Sequence, residues 1–185
     1  MKPIAFFILA VIAVSTIALA VFAQAPDDAI NTALQALPPN MRADATVIKW
    51  KPDFTYETLR KGTNGLVCYD RSGYPEQQPI SIECTSMGNL DREAQNLKAE
   101  AGGDKAKTQA MLDAMEKDGT RVKPEYGSVW YHLLGPDKEH ARMHMTIALP
   151  GATTQSTGLS DKRSQTSVWL MSPGTTTAHL MTPGE

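Results

Sequence analysis

The chain has 185 residues, a formal net charge of -2 and 42% hydrophobic content, the profile of one mildly acidic domain. That composition excludes a polytopic membrane protein, a coiled coil, a multi-domain enzyme and a strongly basic nucleic-acid binder, so no nucleic-acid partner is expected. The average conceals a split: 19 of the first 23 residues are apolar, and the other 162 carry 17 Lys and Arg against 20 Asp and Glu.

The first segment reads as an address. Met1-Lys2 is a short positive start, and Ile4 to Phe22 is a nearly unbroken apolar run ending in small residues, the layout of a secretory signal. Cleavage after Val21-Phe22-Ala23 is favoured over cleavage after Ala23-Gln24-Ala25, because the second frame puts Pro26 just beyond the scissile bond. Residues 1–23 are therefore expected to be a signal peptide and 24–185 a single exported domain, periplasmic or secreted, with no membrane span after cleavage. The alternative is an uncleaved anchor, since 19 helical residues just cross a hydrocarbon core of about 30 Å. Lipid anchoring is disfavoured because the first cysteine is Cys68.

Asp27-Asp28 with Ile30, Leu34 and Leu37 predicts a short amphipathic helix stopped by Pro38-Pro39. Ala45–Trp50 and Phe54–Leu59 read as strands. Asn64-Gly65 ahead of Leu66–Tyr69 predicts a hairpin over about 54–70, because both residues tolerate the positive φ of a type I′ turn. Ile80–Cys84 is a further strand. Cys68 and Cys84 are the only cysteines; in an oxidising compartment they are expected to form a disulfide stapling the Gly/Pro-rich excursion 71–79.

From Asn89 the period changes to that of helices. Leu90, Ala94, Leu97 and Ala101 are followed after Gly102-Gly103 by Ala106, Ala110, Met111, Ala114 and Met115, a helical pair over about 89–118 with Asp104 as N-cap and Gly119 as stop. Charges on the other faces are expected to be solvated. The last third alternates as strands at 129–134, 142–149, 168–171 and 178–181, punctuated by three Pro-Gly turns. Between them, about 151–167 reads as a flexible polar loop. The expected fold class is α+β: a mainly antiparallel sheet, an inserted helical pair and one disulfide.

Recognisable catalytic motifs are lacking: there is no Gly-x-Ser-x-Gly elbow, Ser-x-x-Lys, His-Glu-x-x-His, Walker loop or EF-hand. The chemistry left is in His132, His140, His144 and His179. On a strand, His140 and His144 lie about 13 Å apart, too far to chelate one ion, whereas His132 or His179 could pair across strands with His144. His144 and His179 with Met145 and Met181 form a candidate copper-type set of imidazole and thioether ligands. The plainer reading makes the methionines core filling and the histidines half-buried strand residues. Trp50, Trp130, Trp169 and Tyr131 read as core.

Leu59-Arg-Lys-Gly-Thr-Asn-Gly-Leu-Val-Cys68, a second cysteine some fifteen residues later, and Ala178-His-Leu-Met181 together resemble a group of uncharacterised bacterial exported proteins. These have a Gly-Thr-Asn-Gly-x-x-Cys segment and an Ala-His-x-Met ending; Leu66 stands where an aromatic residue is expected. The resemblance implies export and a shared fold, no activity, and singles out Thr63, Asn64, Gly65 and His179. For the first three, turn geometry alone accounts for the residue types. Three functions are carried forward. The favoured one is a non-catalytic binding or envelope-associated module without a cofactor. The others are a metal-binding protein and a small exported enzyme, the latter with a cleft at 151–167 and His132, His144 or His179 as general base.

Overall fold

A computed structural model describes residues 27–183; the expected signal peptide at 1–23 lies outside them. Eight strands form one sheet: β1 Thr46–Trp50, β2 Tyr56–Arg60, β3 Leu66–Asp70, β4 Ile80–Ser86, β5 Val129–Gly135, β6 Arg142–Ala148, β7 Trp169–Met171 and β8 His179–Met181. Their order is β2-β1-β3-β4-β5-β6-β8-β7. Only β1 and β3 pair in parallel; every other pairing is antiparallel. The helices are α1 at 27–33, α2 Leu90–Glu100, α3 Lys105–Asp118 and α4 Thr154–Thr157. The fold is thus α+β, with α2 and α3 inserted between the paired strands β4 and β5. Among the described residues no helix is long and apolar enough to cross a membrane.

The expected hairpin over 54–70 is not formed. β1 and β2 are the hairpin partners, and β1 lies between β2 and β3. The reason is burial. β1 carries apolar side chains on both faces, Val47 on one and Ile48 and Trp50 on the other, and all are buried, whereas the first three residues of β2 are exposed. A strand apolar on both faces belongs inside a sheet and a polar one at its edge. The β1–β2 turn is made by Phe54 at φ 64° and by Asp53, whose carboxylate accepts from the Thr55 backbone N–H at 3.0 Å.

Gly62-Thr63-Asn64-Gly65 instead carries the chain past the start of β1. The backbone N–H groups of Thr63 and Asn64 both donate to the Asp44 carbonyl, at 2.7 and 3.1 Å. A Cβ on Gly62 would lie 2.2 Å from that same carbonyl oxygen, so only glycine fits. The Asn64 side chain donates to the Met41 carbonyl at 3.1 Å and accepts from the Leu66 N–H at 3.0 Å. The Gly62-Thr63-Asn64-Gly65 segment is therefore a crossover that sets the parallel β1–β3 pairing.

α1 and the turn after it lie on one face of the sheet. Ala33, Leu34, Ala36 and Leu37 pack there on Val47, Ile82 and the Cys68–Cys84 disulfide. Cys68 and Cys84 are directly opposite on β3 and β4 with Cα atoms 4.1 Å apart, the separation of a non-hydrogen-bonded antiparallel pair. On the opposite face α2 sets Leu90 and Leu97 against Ile48, Trp50, Val67 and Tyr69. A third, smaller cluster joins Ala152, Leu170 and Ala178.

Asp104 caps α3 as expected, accepting from the Ala106 and Lys107 N–H groups, and Gly119 ends it at φ 78°. The solvated helix faces expected from the charge pattern are a different matter. On α2, Arg92 and Glu93 are buried, while Met111 on α3 is exposed. Position 93 follows Leu90 by three and precedes Leu97 by four, so it lies on the packing stripe of the helix. Within the expected loop at 151–167, α4 opens on a Thr153–Ser156 capping box and ends at Gly158 with φ 71°.

Candidate functional site

Alternation along the strands puts a row of polar side chains on the helix-covered face. Tyr69 on β3 is opposite Glu83 on β4, Glu83 opposite His132 on β5, and His132 opposite His144 on β6. Cross-strand partners on one face bring their Cβ atoms to about 5 Å, so four chemically active groups adjoin. Tyr69 OH donates to Glu83 Oε2 at 3.3 Å. His132 Nδ1 is 3.5 Å from Glu83 Oε1. The His132 and His144 rings have centroids 5.9 Å apart, and Trp130 stacks on His132 at 6.3 Å.

Arg71, just after β3, anchors this row to α2. Its Nη1 is 3.2 Å from Glu83 Oε1 and 2.8 Å from Glu93 Oε1, and its Nη2 pairs with Glu100. Three carboxylates thus meet one guanidinium, a cluster carrying net charge -2 if all are ionised. The contact to Glu93 has ion-pair distance without hydrogen-bond direction, so Glu93 Oε1 and Arg71 Nε are buried without hydrogen-bond partners. The other Glu93 oxygen accepts from Asn96 at 2.8 Å.

Burial and the local charges drive the carboxyls apart. Burial pushes the Glu93 carboxyl up to about 8; Arg71 opposes this, while Glu83 reinforces it. Burial also works against Glu83, but Arg71, His132 and Tyr69 outweigh it and hold Glu83 down at about 2. Glu83 is thus a carboxylate and Glu93 a neutral acid around pH 7, the separation of paired carboxyls that acid–base sites employ. Glu100 is also raised, by burial first.

Beside this cluster a cavity of about 570 Å³ opens between the sheet and the α2–α3 pair. Trp130, His132, His144, His179, Met171 and Met181 contribute to its sheet side. The sequence-predicted histidines accordingly divide. His132, His144 and His179 reach one cavity, whereas His140 sits in the exposed β5–β6 turn, bound to Asp137 at 2.8 Å. His179 Nδ1 is 2.7 Å from the Thr177 carbonyl; a carbonyl only accepts, so Nδ1 carries the proton and the neutral ring leaves Nε2 as acceptor. Burial, followed by the charges of His132, His144 and Arg92, lowers the His179 pKa despite that hydrogen bond.

Of the set His144, His179, Met145 and Met181, the cavity lining includes His144, His179 and Met181 but not Met145. Met145 follows His144 on β6 and so faces the other side of the sheet. His179 pairs with Ala148, four residues and about 13 Å along β6 from His144. Among the described residues no three His, Cys, Asp or Glu side chains are grouped to hold a metal ion. The cleft expected at 151–167 is also displaced: no residue of that segment lines the cavity, whose outer side comes from α2, α3, Arg121, Pro124 and the 172–178 turn. Thr63, Asn64 and Gly65 lie away from His179; Asn64 and Gly65 border a separate, shallower depression beside the exposed Tyr126.

Comparison with family models, curated proteins and solved structures returns no match.

Reading the sequence for motifs passes over Arg71, Glu83, Glu93, Arg92 and Arg121. Two signals mark the carboxyls. Glu83 is a charged residue on the polar face of the alternating run Ile80–Cys84, and Glu93 falls on the stripe of Leu90 and Leu97.

Proposed function

We propose that this chain is an exported protein, periplasmic or secreted, that binds a small polar molecule in the cavity between the histidine-bearing sheet face and α2–α3. It acts as a binding module and belongs with the exported group that shares its Gly-Thr-Asn-Gly-x-x-Cys and Ala-His-x-Met segments. The observation carrying the reading is the convergence of Trp130, His132, His144 and His179 on one cavity of about 570 Å³ with a largely polar lining, within the size range of small-ligand sites. The disulfide and the apolar leader-like segment support export.

The test is a small-molecule screen followed by Trp130 fluorescence, with Trp130→Phe identifying that tryptophan's signal. Ligands should quench the wild type and leave Trp130→Phe unresponsive; a screen without Trp130-dependent hits overturns the reading. Export is tested by the mass of protein recovered from the periplasm, which should begin at Gln24.

A second reading, an enzyme with His132 as general base, is favoured by one feature: Glu83 lies 3.5 Å from His132 Nδ1, where a carboxylate orients an imidazole for proton transfer. Incubating each hit with the protein and following it by mass spectrometry separates the two: unchanged ligand supports binding, and turnover lost in His132→Gln supports catalysis.

A further inference from the structure

The charged side chains around the cavity are unevenly partnered. Arg71 meets three carboxylates, yet Arg92 and Arg121, at 5% and 6% exposure, meet none. Arg92 donates from Nη1 to the Val122 carbonyl and to Thr176 Oγ1, and from Nη2 to Thr177 Oγ1 at 2.7 Å. Arg121 donates to Gln95 Oε1 at 2.9 Å and to Asn96 Oδ1. All of these acceptors are neutral. Among the described residues no carboxylate oxygen lies within 4 Å of either guanidinium.

The acids nearby are engaged elsewhere. Glu116 accepts from the Thr176 N–H at 2.7 Å and from its hydroxyl at 2.6 Å. Glu93 and Glu100 belong to Arg71, and the Asp113 carboxylate accepts from Gln109 at 2.7 Å. Burial first, then the charge of Arg121, brings the pKa of Arg92 down to about 10, against the opposing charges of Glu116 and Glu93. Burying a guanidinium without an anion is costly, and placing two together adds repulsion. Both line the same cavity, with His179 also at its edge.

We propose that Arg92 and Arg121 form the anion-recognising end of this cavity, and that its ligand is a small organic molecule with a carboxylate or phosphate head group. The proposal rests on the reading of the cavity as a ligand site and assigns its ligand class. The head group supplies the charge the two arginines lack, in hydrogen bonds shorter and stronger than those to neutral oxygens. The body of the ligand extends along Trp130 and Met181. Of the acids on the same lining, Glu83 and Glu100 are paired with Arg71, and Glu116 accepts from Thr176.

Wild-type protein is titrated with succinate, benzoate, inorganic phosphate and phenyl phosphate, and with neutral benzamide and cationic benzylamine, following Trp130 fluorescence and melting temperature. At least one anion should bind in preference to benzamide and benzylamine, and Arg92→Gln or Arg121→Gln should weaken it about ten- to hundredfold. Success with the carboxylates or with the phosphates tells which head group is meant. Because either substitution could prevent folding, the wild type is also followed by NMR of its arginine side-chain N–H signals, where those of Arg92 and Arg121 should move with bound anion. Anion binding that leaves those signals still, or that both variants retain, overturns the assignment. Binding of benzamide or benzylamine without any anion overturns the ligand class and leaves the cavity reading standing. No binding of any kind sinks both.

Discussion

Replacing Glu93 by Gln should separate the buried ion cluster into its ionised and neutral members. Glu93 is fully buried, with one oxygen 2.8 Å from an Arg71 Nη1 that also serves Glu83, and its carboxyl is raised to about 8. An unfolded glutamate titrates near about 4.3. Between those values the native chain holds one proton that the unfolded chain has lost, so this group's contribution to unfolding free energy falls as pH rises. One proton corresponds to about 1.4 kcal/mol per pH unit, hence about 2.7 kcal/mol between about pH 5.5 and about pH 7.5. Glutamine imitates the protonated acid. Glu93→Gln should therefore equal wild type to within about 1 kcal/mol at the acid end of that range and be relatively more stable at the alkaline end. Glu83→Gln should behave oppositely: it removes an ionised partner of Arg71 and costs about 3–5 kcal/mol at neutral pH. Urea unfolding of the three proteins across the range measures both. Parallel stability–pH curves for wild type and Glu93→Gln would refute the neutral-acid assignment.

Other substitutions test other links. Removing the disulfide with Cys68→Ala/Cys84→Ala should lower stability by about 2–4 kcal/mol, read by denaturant unfolding, and neither cysteine should react with a thiol label in the native or the denatured, unreduced protein, since both are in the bridge. Gly62→Ala forces a Cβ to 2.2 Å from the Asp44 carbonyl and should destabilise by about 1–3 kcal/mol, with no such cost for Gly102→Ala, where the space is open. His179 resists protonation, so below about pH 6.5 the unfolded chain binds a proton that the native chain does not. Stability should fall with acid there, and His179→Gln should flatten that part of the curve.

Much of the fold is legible locally because period and punctuation act over short distances. The break at Gly102-Gly103, the Asp104 cap and the alternation at 142–149 each depend on neighbours within one or two turns. The strand order does not. Asn64-Gly65 satisfies the requirements of a hairpin turn, and only the close approach of Gly62 to Asp44 and the two-sided burial of β1 send the chain over to a parallel pairing. The site was partly visible in three histidines on alternating runs. Its charged half was not, because Arg71, Glu83, Glu93 and Glu100 come from three elements and meet only when α2 packs on the sheet. Likewise the deficit of negative charge around Arg92 and Arg121 is a property of distances, which a composition with 18 basic and 20 acidic residues conceals.

The most direct test of a ligand site on the helix-covered face is an NMR titration of the wild-type protein with each screening hit, following all three tryptophan and four histidine rings. Binding in the cavity predicts shifts confined to Trp130, His132, His144 and His179, with Trp50 and His140 unmoved. Shifts centred instead on the depression beside Asn64 and Tyr126, or no saturable shifts at all, would contradict it.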